Sequence, residues 1–373
     1  NGYQGWNGPF YSFAEVALSM HHNAPKGHYG EWIRQHFPDV EEKFWQIEGR
    51  RPPSGPPMTW ASEVPVAAHT STWVGDITID YLRRQAGSSE PFFAWVGFPD
   101  PHHPFCPPKE LADMYDPAEV PLPPRRSGDL KDRPPQYRAW YEDGVRHEGA
   151  GGKFVPAELS EQQLREMTAY NYAQVSLVDR NIGRILDELD RLGLASNTIV
   201  VFTADHGELL GEHGLLLKGP FMCEGLLRVP LIVRWPGTPA APGAAGALVS
   251  LADLMPTLLE AAGAPAPGAV AGRSFLPVLN GTSTQHRDAV LTEFHSAYFP
   301  GLNIRTLRTP KYKLSYYAGK PYGELYDLWQ DPGEFENRWN DPAYAEVKAD
   351  LIRRLLDEVL ALDSGFPGPL SHA

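Results

Sequence analysis

The sequence predicts an α/β fold, a layered body of helices and buried strands followed by a small α+β subdomain with an antiparallel sheet, and three observations carry the prediction. Ser160 with Gln163 makes a capping box, and apolar residues recur at Leu164, Met167, Val175, Val178, Ile182, Ile185, Leu189 and Leu192 before Gly193 stops the helix. After a short connection, residues 198–202 (TIVVF) read as a β-branched, apolar strand of the kind buried on both faces between helices. From about Ala289 the signals change to short alternating strands and one last amphipathic helix.

The elements follow in order. Residues 1–57 are rich in Gly, Trp, Tyr and His with little periodicity, and read as loops and short elements covering a larger body. Residues 72–85 have helical spacing (Trp73, Ile77, Ile79, Leu82), and 92–98 (FFAWVGF) read as a buried strand ending at the turn Pro99-Asp100-Pro101. The stretch to about Pro156, rich in Pro, Arg and Asp, is a long excursion of the sort that shapes a substrate pocket. Beyond the strand at 198–202, a further strand at 231–233 and a helix at 251–262 continue the body, and a Pro/Ala loop at 264–271 marks its edge. Short strands at 290–294, 303–307, 312–317 and 324–328 and a helix through Val347, Leu351, Leu355 and Leu360 make the subdomain. The boundary is placed between 1–283 and 284–373.

Composition narrows the function classes. With 373 residues, 42% of them hydrophobic, the chain can bury a sizeable core. A net charge of −13 without basic tracts argues against a nucleic-acid surface. No apolar run is long enough for a membrane span, and two cysteines cannot build a disulfide framework, which leans the expected location towards the cytoplasm, with the periplasm open. Because the chain starts at Asn1, an absent N-terminal segment is expected. Oligomeric state is not readable.

Asp205 and His206 stand where the strand at 198–202 ends, the position at which α/β folds bind ligands, and a carboxylate beside an imidazole offers two metal ligands. Lys218 follows in a Gly-punctuated loop that can fold back to set an ammonium against a metal-bound oxyanion. His102 and His103, between prolines after the strand at 92–98, offer an imidazole donor to an oxyanion or a leaving oxygen.

Three segments then resemble sulfatases of the alkaline phosphatase superfamily in residue type, order and spacing: PFFAWVGFPDPHHPFCPP from Pro91, TIVVFTADHGELLGEHGLLLKGPFMCEGLLRVPLIVRWPG from Thr198, and GELYDLWQDPGEFENRW from Gly323. Residues 250–262 and 272–276 are similar more weakly. The resemblance implies a large mixed sheet between helices, with Asp205 and His206 as metal ligands and Lys218 touching the sulfate and leaving-group oxygen. It also implies that His102 contacts the bound ester, while His103 and His213 only hold loop geometry. One divalent ion is implied, Ca²⁺ first, with Mg²⁺ or Mn²⁺ also compatible with carboxylate and imidazole ligands. The substrate implied is a small-molecule sulfate ester, or, in the nearest rival reading, a phosphonate monoester or phosphodiester.

The chain departs from the family pattern at one point. Sulfatases carry a Cys-x-Pro-x-Arg or Ser-x-Pro-x-Arg signature whose first residue becomes the formylglycine nucleophile, and a preceding acidic pair completes the metal site; neither is present. Cys106 has Glu110 where Arg is required, and Cys223 fails the pattern. Covalent catalysis needs its attacking group. The expectation is therefore a truncated enzyme, inactive as it stands, whose formylglycine lies in a missing N-terminal region. The remaining alternative is a non-catalytic relic of the scaffold.

Overall fold

The computed structural model describes residues 13–20, 24–45, 50–147, 152–238, 246–267, 270–296 and 299–363. A hairpin of β1 (Ser19–Met20) and β2 (Ala24–Lys26) precedes α1 (Gly27–His36), α2 (Thr70–Gln85) and α3 (Pro135–Asp143). A second hairpin, β3 (Val145–His147) and β4 (Gly152–Phe154), precedes α4 (Glu161–Arg191). Then come β5 (Val200–Thr203), the single turn α5 (Glu224–Leu227), β6 (Leu231–Arg234), α6 (Leu254–Ala261) and the turn α7 (Leu276–Leu279). β7 (Val290–His295), β8 (Asn303–Arg308), β9 (Tyr312–Tyr317), β10 (Gly323–Asp327) and α8 (Ala345–Asp363) follow. The chain divides into two compact units, Asn1–Pro123 with Gly144–Thr198, and Pro124–Asp143 with Ile199–Ala373.

In the first unit, α4 opens on the predicted capping box between Ser160 and Gln163. It packs on α2, and Gly75 sets how closely, because a Cβ there would stand 2.7 Å from Asn181 Oδ1. Within residues 1–57, the helix α1 buries Tyr29 and Ile33 among Val40, Phe44, Val64, Ala68, Trp73 and Val74. At ten residues it is too short for its period to stand out. Residues 92–98 differ from expectation: they join no sheet among the described residues, and Phe93 and Trp95 are 61% and 75% exposed. An apolar, β-prone run becomes a strand only where a neighbouring strand accepts its backbone hydrogen bonds.

In the second unit, β5 pairs antiparallel with β6, Val201 opposite Val233 and Phe202 opposite Ile232. Burial on both faces is corrected here. Val201 and Val233 face Leu254 and Leu258 of α6, whereas Phe202 and Ile232, on the other face, are 39% and 63% exposed. The four predicted C-terminal strands form one antiparallel meander in the order β10-β9-β8-β7, and Leu307, Leu314 and Leu325 bury against Leu351 and Leu355 of α8. The stretch 124–143 of the excursion belongs to this unit, with Tyr137 of α3 buried among Leu209, Leu215, Phe221, Cys223 and Leu226.

Candidate active site

Asp205 and His206 stand two and three residues past β5, where the ladder has ended and side chains can converge on the strand end. Asp205 is exposed, and its Oδ1 accepts from the His206 backbone N–H at 3.0 Å, which holds the carboxylate beside the ring. His206 Nδ1 lies 2.8 Å from the Gly207 carbonyl. A carbonyl only accepts, so Nδ1 carries the hydrogen and the lone pair stands on Nε2, as metal-ligating histidines are usually held. That Nε2 is 3.6 Å from Asp205 Oδ2, close to the ~3–3.5 Å between neighbouring ligands of one ion with bonds of about 2.1–2.5 Å. The two atoms are spaced as neighbouring ligands of one divalent cation would be.

Lys218 is brought to the same point. Its Nζ lies 3.0 Å from His206 Nε2, and it is within ion-pair distance of no carboxylate among the described residues. The loop at 207–218 reaches this arrangement by close backbone contacts. The Gly207 N–H donates to Leu226 O at 2.9 Å, and a Cβ on Gly207 would stand 1.8 Å from Gly225 O, so α5 requires glycine there. Glu208 accepts from the backbone N–H groups of Leu217 and Leu210 and ties the two ends of the loop. Burial under the loop pushes its carboxyl up to about 7, although the residue keeps some surface exposed and those two N–H groups and Lys218 draw the value down.

His213, buried inside the loop, donates to or accepts from partners that fix it. Its Nδ1 is 2.8 Å from Asp129, and Arg133 lies 2.9 and 3.0 Å from its two nitrogens. His213, Cys223 and Glu334 bring ligand atoms within 4.8 Å of one another, a grouping that suits a soft metal. The Arg133 guanidinium already lies among them, 3.8 Å from Cys223 Sγ and donating to the Glu334 carbonyl, and burial pushes the Cys223 thiol up to about 12. A fixed cation and a protonated thiol make this a structural knot, in which Lys313 pairs with Glu334 and Glu224.

Asp205, His206 and Lys218 open into a cleft of about 2020 Å³ in the second unit, whose lining also includes Arg228, Arg273, Arg287, Arg305 and Arg308. The excursion at 121–156, predicted to shape the pocket, lines none of it among the described residues; α3 and Arg133 buttress the loop from behind instead. Arg308 pairs with Glu224 and Arg305 with Glu293, while Arg287 grips the buried Asp253 through two nitrogens. Asp253 also accepts from His286 and from the backbone N–H groups of Arg273 and Ser250. Burial alone would raise its carboxyl; Arg287 and those two N–H groups outweigh it and hold it below the usual range.

His102 lies in the first unit, in the turn after residues 92–98. Its ring stacks on His103 at 4.0 Å, and its Nδ1 donates to His103 O at 2.6 Å, which places the lone pair on Nε2. The structure thus gathers Asp205, His206 and Lys218 and shows His102 within its own unit. The sequence reading missed Arg133, Glu208 and Asp253. For Glu208 the signal was a carboxylate inside an apolar loop; for Asp253 it was an acid at the third helical position after Ser250, a capping box.

Comparison with known proteins adds the following. A family described as "Sulfatase" matches residues 34–264, and one described as "N-sulphoglucosamine sulphohydrolase, C-terminal" matches 211–360. An arylsulfatase of Clostridium perfringens is 31% identical over 293 residues, 77% of this chain and 57% of that protein. The multifunctional alkaline phosphatase superfamily protein PehA of Trinickia caryophylli is 30% identical over 358 residues, 89% of this chain and 67% of that protein. The crystal structure of the phosphonate monoester hydrolase of Agrobacterium radiobacter superposes with a TM-score of 0.76 at 26% identity, covering 90% of this chain and 69% of that one.

Proposed function

Because the chain belongs to the sulfatase family of the alkaline phosphatase superfamily, with that superfamily's α/β fold, we propose that the protein to which these residues belong hydrolyses sulfate esters at the end of β5. The observation that supports this reading most is the setting of the His206 ring, with Nδ1 2.8 Å from Gly207 O, Nε2 3.6 Å from Asp205 Oδ2, and Lys218 Nζ 3.0 Å from Nε2. Asp205 and His206 would hold one divalent ion, with Ca²⁺ the first choice for an exposed carboxylate ligand and Mg²⁺ or Mn²⁺ also compatible with a carboxylate and an imidazole. When bound, such an ion polarises the ester oxygens.

The chain's own residues then have distinct tasks. Lys218 donates to an oxygen of the ester and offsets charge growing on the leaving oxygen. His102, with Nδ1–H committed to His103 O, meets the ester through Nε2. The 373 residues contain no Cys-x-Pro-x-Arg or Ser-x-Pro-x-Arg, so in this proposal the formylglycine nucleophile is supplied from outside them. The ester is a small molecule.

Phosphonate monoester hydrolysis is the second reading, favoured by two hydrolases of that class at TM-scores of 0.76 and 0.73. A phosphonate monoester and a sulfate ester carry the same single negative charge, so one cationic site accepts both. Parallel kinetics of the full-length protein on 4-nitrophenyl sulfate and an aryl phosphonate monoester decide between them. The proposal expects the larger kcat/KM on the sulfate; a large preference for the phosphonate reverses the order.

A further inference from the structure

The turn that carries His102 is braced by two helices. Pro99, Pro101 and Pro104 have no N–H, so the segment has few donors of its own, and of its inner backbone bonds His102 N to Pro99 O measures 3.2 Å. Two helices supply the donors. From α4, Asn171 Nδ2 donates to Pro101 O at 3.3 Å, and Gln174 Nε2 donates to Asp100 Oδ1 at 3.0 Å and to Pro104 O at 3.4 Å. From the first turn of α2, Ser71 Oγ donates to Asp100 Oδ2. His69 Nδ1 stands 3.6 Å from the same oxygen; burial draws that imidazole below its usual value, although Asp100 and Glu110 oppose the shift.

Asn171 and Gln174 are 4% and 0% exposed and sit three residues apart on the face of α4 that otherwise buries Leu164, Met167 and Leu177. A helix that spends core positions on amides loses stability unless those amides are bonded, and here both amide nitrogens are committed, Asn171 to the Pro101 carbonyl just before His102 and Gln174 to the Asp100 carboxylate and the Pro104 carbonyl, while Gln174 Oε1 is buried without a hydrogen-bond partner among the described residues. These bonds fix the backbone on both sides of residues 102 and 103, and the His103 carbonyl in turn accepts from His102 Nδ1–H.

We propose that Asp100, Asn171 and Gln174 are positioning residues that aim the His102 imidazole, so that α2 and α4 act on the ester through this turn. The inference rests on the reading of His102 as an ester contact. A misplacement of about 1 Å in such a group costs up to ~100-fold, and loss of a supporting hydrogen bond typically costs ~10–100-fold.

The test is a double-mutant cycle on the full-length protein with 4-nitrophenyl sulfate, using His102→Ala, Gln174→Met and the pair, with Ser71→Ala as a milder variant should Gln174→Met fail to fold. The expected result is a fall of about tenfold or more in kcat/KM for Gln174→Met that vanishes in the His102→Ala background. An equal loss in that background, or no loss for Gln174→Met while His102→Ala is impaired, overturns the proposal. The His102 ring nitrogens, read by two-bond ¹H–¹⁵N correlation in the 373-residue chain, form the second arm: the Nδ1–H tautomer should weaken in Gln174→Met. If His102→Ala retains full activity, the ester-contact reading fails, and unchanged nitrogen shifts in Gln174→Met overturn the positioning role separately.

Discussion

A histidine can serve a metal only while one ring nitrogen keeps its lone pair, and in the proposed site His206 meets that condition by giving Nδ1–H to the carbonyl of the next residue. His206→Ala and Asp205→Ala should each weaken Ca²⁺ binding to the 373-residue chain at least about tenfold, measured by titration calorimetry. In the proposed mechanism Lys218 acts on charge rather than on the ion. Lys218→Ala should lower kcat by about 10²–10³ for esters with poor leaving groups and by less for 4-nitrophenyl sulfate, whose leaving oxygen needs little help. A leaving-group series checks this, and a uniform loss across the series counts against the role. Away from the strand end, Asp253 is fully buried under Arg287. Its carboxyl is held below the unfolded value of 3.8, so it contributes stability above that value and the contribution fades as pH falls through the folded-state value. Asp253→Ala should cost about 3–5 kcal/mol at neutral pH, and its Tm should fall less steeply than that of the unsubstituted chain below about pH 4.

Among elements, the junction from β5 into the Lys218 loop tolerates least. Gly207→Ala would drive a Cβ into the Gly225 carbonyl, and only a shift of α5 or of the turn relieves that contact. The expected outcome is a loss of activity as large as that of His206→Ala, together with a lower Tm, since the clash moves the backbone on which the ring sits. Features encoded locally were legible in the sequence: the capping box of α4, the four strands β7–β10 with their alternating residues, and the acid–imidazole pair past an apolar strand. Features that depend on a distant partner were not. Nothing near Arg133 in sequence announces that it will lie against His213, eighty residues on, and Asn171 and Gln174 read as ordinary polar interruptions until the turn at 99–104 is seen beneath them. The run at 92–98 has strand composition but no ladder among the described residues, because composition specifies one edge of a pairing and never the other.

For the molecule as a whole, an apolar run without a strand partner among the described residues leaves apolar surface in water. The first unit exposes Phe93 and Trp95, with Phe13 stacked on Phe93 at 6.0 Å, and the second exposes Phe202 and Ile232 side by side across the β5–β6 ladder. Soluble monomers rarely leave large apolar side chains grouped on a strand-like surface, and an unpaired extended segment offers backbone groups as well as side chains to another copy. The net charge of −13 opposes association over long range, but salt at about 0.1 M shortens that repulsion to roughly 10 Å, less than the reach needed to keep apolar surfaces apart. The 373-residue chain by itself should therefore associate as ionic strength rises and bind a hydrophobic dye. Trp95→Ser combined with Ile232→Ser should reduce both without lowering Tm, since neither side chain is buried in its own unit. Light scattering between about 0.01 and 0.15 M salt checks the prediction. A chain that stays monodisperse over that range, or a double variant that associates as readily as the parent, would show that these surfaces do not govern its behaviour.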